Sequence, residues 1–139
     1  MIRLASAAAA LTLIAAPAFA QSAPATVTLT FETGARTGTI MVALYNSEDG
    51  YRSGPAVAQA MVDASGQTVA TFADLPAGDY AVKAFHDVNG DGRMNTNPFG
   101  LPVEPFAFSN NAVGNMGPAS WGRARFSVSG DVAQTIVIR

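Results

Sequence analysis

The sequence predicts an all-β fold: a two-sheet antiparallel β-sandwich, immunoglobulin-like or transthyretin-like, of about seven strands. Three observations carry this expectation. Several short segments alternate between two kinds of side chain with a period of two. Gly, Pro, Asn, Asp and Ser gather between those segments, where turns need them. After the first twenty residues, no segment of useful length repeats with a helical period. Residues 86–120 follow neither pattern, and are expected to form one long ordered loop between the fifth and sixth strands.

Residues 1–20 read as a signal peptide. Arg3 supplies the positive start, residues 4–16 are apolar, and Pro17-Ala18-Phe19-Ala20 ends in a small-x-small cleavage pattern. Gln21 becomes the new N-terminus. The apolar run falls short of the ~20 residues that span a bilayer. Export to the periplasm or outside is expected, with no transmembrane segment after cleavage. The chain has no cysteine, so disulfides and a lipid-modified N-terminal Cys are both excluded. Residues 21–139 are expected to form one sandwich domain, long enough to bury roughly two-thirds of the surface its unfolded chain exposes. The net charge is −2, with Arg3 among the eight basic residues. An acidic balance argues against nucleic acid as a partner, because nucleic acid is bound through basic patches.

Val27, Leu29 and Phe31 alternate with Thr26, Thr28 and Thr30, which predicts the first strand. Residues 34–38 make a turn. Ile40, Val42 and Leu44 alternate with Met41, Ala43 and Tyr45 in the second. Residues 46–55 are rich in turn formers and read as loop. Residues 56–64 are expected as a third strand, pairing through a Ser65-Gly66 hairpin with residues 67–72. Pro76 and Gly78 mark the next turn. Tyr80, Val82 and Ala84 define the fifth strand, Ala124, Phe126 and Val128 the sixth, and Ile136 and Ile138 the closing one.

The long loop opens with Asp87-Val88-Asn89-Gly90-Asp91-Gly92, which follows the calcium-loop pattern D-x-[DN]-x-[DN]-G. Asp87, Asn89 and Asp91 would offer side-chain oxygens, Arg93 its carbonyl, and Asn95 a further oxygen. A hard cation needs such oxygens converging from a short turn. The closing bidentate Glu is missing, since Pro98 stands at position 12, and Glu104 is the nearest carboxylate able to complete the shell. Calcium is therefore the cofactor this loop raises, at an affinity near 10⁻⁴ M as in extracellular modules. The competing reading is a structural turn whose Asp and Asn side chains cap their own backbone.

The run Phe85-His86-Asp87-x-Asn89-x-Asp91-Gly92, then Asn95-Thr96-Asn97, Gly100, Pro102, Glu104, Phe108-Ser109-Asn110-Asn111-Ala112 and Gly117-Pro118, resembles the exported bacterial family catalogued as domain of unknown function 2141. Trp121 stands where an aromatic is expected. The resemblance covers nearly all of residues 21–139. It implies a small secreted sandwich domain and implies no activity.

Other chemistry is weaker. His86, Asp87 and Ser109 could be imagined as a triad, but neighbours on a strand point to opposite faces and no G-x-S-x-G elbow is present. Asp87, Asp91 and Glu104 suit turn or metal roles better than paired-carboxylate hydrolysis. His86, Met94 and Met116 are copper-type ligands without a ligand spacing, and the methionines are expected to pack against Phe side chains. Asn97, Asn110 and Asn111, with Phe99, His86 and Trp121, are candidates for a ligand surface; Asn amides can equally bond their own loop backbone. Phe99, Phe106, Phe108 and Trp121 are expected as a small core beneath the loop. The reading is a non-enzymatic binding or accessory module for an envelope glycan or peptide. The rivals are an envelope enzyme using the acidic loop, and a purely structural adhesion-type domain.

Overall fold

The computed structural model describes residues 22–139; the expected signal peptide lies outside the described residues. The chain forms two packed sheets. Strands β1 (Ala25–Glu32), β4 (Val69–Leu75) and β8 (Val132–Val137) make a three-stranded sheet in the order β4-β1-β8. Strands β2 (Thr39–Tyr45), β3 (Ala58–Asp63), β5 (Gly78–Asp87) and β6 (Phe106–Phe108) make the other in the order β3-β2-β5-β6, and β7 (Phe126–Val128) also pairs with β5. The expected two-sheet all-β architecture is present.

Alternation explains which face each strand buries. Val27, Leu29 and Phe31 of β1 pack against Ile40, Val42 and Leu44 of β2 and Tyr80, Val82 and Ala84 of β5. Ile136 and Ile138 close the same core. A second, smaller cluster of Tyr51, Ala81, Phe108, Ala119 and Ala124 lies on the other side of β5. Among the described residues no helix is long and apolar enough to cross a membrane.

Several expectations need correction. The described residues contain eight strands, close to the expected number; the one not foreseen is Phe106–Phe108, which pairs with Lys83, Ala84 and Phe85 of β5 inside the supposed loop. β3 and β4 form no hairpin. β3 pairs with β2 and β4 with β1, so the chain crosses between sheets at Ala64–Gly66. Asp63 turns it there by accepting the Ser65 N–H at 2.8 Å, while buried Ala64 donates its N–H to Gly38 at 3.1 Å. The closing strand β8 runs parallel to β1; the other paired strands are antiparallel. Residues read as loop include helix α1 (Glu48–Ser53), whose N-cap Ser47 accepts the Gly50 N–H. Helix α2 (Trp121–Ala124) takes in Ala124, which had been read as strand.

The buried face of β1 sets a contrast in stability. Leu29→Ala should cost about 2–5 kcal/mol, because it opens a cavity between the sheets. Met61→Ala, at a side chain 74% exposed, should stay within about 0.5 kcal/mol of wild type. Urea unfolding of both variants checks this.

Candidate functional site

Asp87 is the last residue of β5 and is only 2% exposed. Its Oδ1 accepts the N–H groups of Gly90 at 2.8 Å and Asp91 at 3.2 Å, and its Oδ2 accepts that of Gly92 at 2.7 Å. Gly92 sits at φ +77°, where a side chain would be strained, so the chain can double back on the carboxylate. Glu104 is 8% exposed and grips the same loop from its far end. Its Oε1 accepts the Val88 N–H at 3.1 Å and its Oε2 the Asn95 N–H at 3.0 Å. Gly38 packs against the start of the loop: a Cβ there would lie 2.1 Å from the Asp87 carbonyl oxygen.

The remaining acidic-loop side chains bond one another. Asp91 Oδ1 accepts the Arg93 N–H at 2.9 Å and Oδ2 accepts the Asn95 amide at 2.8 Å; Asn89 donates to Asn95 Oδ1 at 3.0 Å. The Asn95 amide, followed by the Arg93 N–H, holds the Asp91 carboxyl below the usual carboxylate range. Among the described residues no three His, Asp or Glu side chains converge as a metal-ligand group. Beyond Asn95 the chain forms a small hairpin, with a Thr96–Pro102 bridge and Asn97 Oδ1 accepting the N–H groups of Phe99 and Leu101. Phe99 stands at its tip, 88% exposed, so it is not part of a core beneath the loop.

The other candidates are spent internally. His86 lies on β5 facing inward, fully buried. Its Nε2 donates to the Thr37 carbonyl at 2.6 Å, and its Nδ1 accepts from the Thr33 hydroxyl at 2.7 Å. Ser109 Oγ accepts the Val82 N–H and donates to the Ala124 carbonyl. Neither has a free atom for a triad. Asn110 donates to the carbonyls of Arg123, Ala124 and Arg125, and Asn111 bridges to Thr135 and Val137 of β8. Trp121 packs edge-on against Tyr51, with ring centroids 5.8 Å apart.

The sequence reading missed a broad groove. It lies on the outer face of the five-stranded sheet and encloses about 930 Å³. Its floor is two cross-strand rows. Met61, Met41, Phe85 and Phe106 are consecutive partners across β3, β2, β5 and β6, and Gln59, Ala43, Lys83 and Phe108 are the next row. Small Ala43 leaves a depression between them. The acidic loop's hairpin supplies Met94, Leu101 and Pro102 as one wall, and Met116, Gly117 and Pro118 also line the groove. Four of the chain's five methionines thus line one groove, the fifth being Met1. Met94 and Met116 both line this groove, whereas His86 is buried on the inward side of β5, so the three imagined copper ligands are not brought together. The missed signal was β2, whose Met41 and Ala43 make its outward face apolar as well as its inward one.

Lys83 is the groove's one cationic side chain and the chain's only lysine. Its Nζ donates to the Tyr51 carbonyl and lies 4.4 Å from the Tyr51 ring centroid and 5.2 Å from that of Tyr45. Burial lowers its pKa. Burial, and then Tyr45, push the Tyr51 hydroxyl up to about 12.

Fold and site together define a small β-sandwich protein with a carboxylate-braced loop beside an apolar groove. A family model described as an uncharacterised protein conserved in bacteria, domain of unknown function 2141, matches residues 32–136, and the chain belongs to that family. No curated protein and no solved structure matches it.

Replacing Glu104 by Gln puts an amide donor against a backbone N–H. The variant should lose about 1–3 kcal/mol of stability. Hydrogen exchange at Val88 and Asn95 should quicken, while that at Leu29 changes only with global stability.

Proposed function

We propose that the protein is an exported, non-catalytic binding domain whose ligand site is the apolar groove on the outer face of the five-stranded sheet. The observation that carries this reading is the pair of cross-strand rows. An apolar outer face is unusual for a sheet that faces water on that side. The row Met61-Met41-Phe85-Phe106 crosses three interstrand spacings, roughly 14 Å. The groove volume is in the range of small-molecule sites, which are mostly apolar with a few placed polar groups. Methionine suits such a surface, because its flexible thioether adapts to different apolar shapes.

Catalysis has little support in this geometry. Asp87, Glu104, His86 and Ser109 hold backbone groups or Thr33 rather than face an open cleft. A glycan or peptide on the Asn-rich surface is likewise disfavoured, because Asn97, Asn110 and Asn111 already bond the chain itself. Export rests on the sequence of residues 1–20.

The acidic loop serves on this reading as a brace for the groove wall, every oxygen of the Asp87 and Glu104 carboxylates accepting at least one backbone N–H. The calcium reading uses the same oxygens, and calorimetry separates the two. The brace predicts the same melting temperature in EDTA and in millimolar calcium. A site of 10⁻⁴ M affinity would instead add about 1.4 kcal/mol, visible as a rise of several degrees.

The groove itself is tested with phenylnaphthylamine, an apolar fluorophore that brightens on leaving water. Wild type should bind it, and Met61→Glu should weaken binding about tenfold or more while leaving unfolding stability within about 0.5 kcal/mol. Unchanged binding in Met61→Glu would place the probe elsewhere and count against the groove.

A further inference from the structure

We infer that the groove takes an anionic single-chain amphiphile, a long-chain carboxylate, with its alkyl chain along the Met61-Met41-Phe85-Phe106 row and its head at Lys83. The inference rests on the groove reading above and names the ligand class for the same site. Charge complementarity carries it. An ammonium half withdrawn from water normally has a carboxylate beside it. Lys83 has none: among the described residues the single ion pair is Arg125 with Asp79 at 2.7 Å. The ammonium is instead held by the Tyr51 carbonyl and the faces of two tyrosine rings. These steady a cation without cancelling its charge. An ammonium has three donors, and only one is committed here.

The position of Lys83 matches an amphiphile rather than a wholly apolar ligand. It lies in the row next to the apolar one, two residues from Phe85 along β5, which is about 7 Å. Apart from Lys83 and Gln59, the side chains lining the floor and walls are apolar, apart from the Tyr45 hydroxyl. A ligand that fills this space and meets Lys83 needs a long apolar part over the Met-Phe row and one acceptor group set beside Phe85. A carboxylate fits both the charge and the remaining N–H donors.

Trp121 reports on the head position, because Tyr51 lies between it and Lys83. Hexadecanoate, hexadecanol and hexadecyltrimethylammonium share one chain length and differ in head group. Titrated below their aggregation concentrations, hexadecanoate should bind about tenfold or more tighter than hexadecanol, and the cationic amphiphile weakest. Only hexadecanoate should change Trp121 fluorescence strongly. Lys83→Gln keeps a donor for the Tyr51 carbonyl but removes the charge; it should reduce hexadecanoate to the affinity of hexadecanol. Should that variant fail to fold, the wild-type head-group comparison still decides. Equal affinities for hexadecanoate and hexadecanol in wild type, both lowered by Met61→Glu, would overturn the anionic head and leave the groove standing. Absence of binding by either amphiphile would overturn the inference, and phenylnaphthylamine then shows whether the groove reading falls with it.

Discussion

Two buried carboxylates hold the part of this protein that does not belong to the sandwich. Asp87 and Glu104 together accept five backbone N–H groups, from Val88, Gly90, Asp91, Gly92 and Asn95. A loop without a sheet ladder must satisfy its donors somehow, and a buried carboxylate must be compensated. Each requirement answers the other here. Charge-assisted bonds are also the stronger kind, so the brace is stiff. It fixes both ends of the segment that presents Met94, Leu101 and Pro102 to the groove. Without it the floor of the groove would persist, but that wall would not.

The floor follows from a strand property. β2 and β5 lie in the middle of the five-stranded sheet, and each is flanked on both sides. Their inward residues build the main core. Towards Tyr45 and Ala81, the outward face is covered by the small cluster around Tyr51 and Phe108. Towards Met41 and Phe85 it is left as an apolar groove. Lys83 lies at the junction of these two regions, which explains how one side chain can touch tyrosine rings and also line the groove.

The strands of the sandwich were legible in the sequence because alternation is local. Val27-Leu29-Phe31 and Ile40-Val42-Leu44 identify their buried faces without reference to partners. Partners are another matter. Nothing near Ser65 distinguishes a hairpin from a crossing between sheets; buried Ala64 and its bond to Gly38 decide it, and that contact is remote in sequence. The parallel pairing of β8 with β1 is equally non-local. The acidic run was legible as turn chemistry, and Glu104 as the carboxylate that folds back, since Asp, Asn and Gly carry their geometry with them. The groove was not read, although Met41 and Ala43 on the outward side of β2 were visible. Its walls come from residues 94–118, whose exposure only the tertiary structure sets. Phe99 and Phe106 read as core because they are apolar, yet both are exposed.

The account therefore makes the methionines its natural reporters. Met41, Met61, Met94 and Met116 come from two strands and two loop segments, and all line the groove. NMR of protein methyl-labelled at methionine, leucine and isoleucine, titrated with hexadecanoate, tests the central claim most directly. The four methyl signals should shift together, at one common affinity, while methyl signals of the core residues Leu29 and Ile136 stay fixed. Shifts confined to one methionine, or none at saturating ligand, would contradict the account.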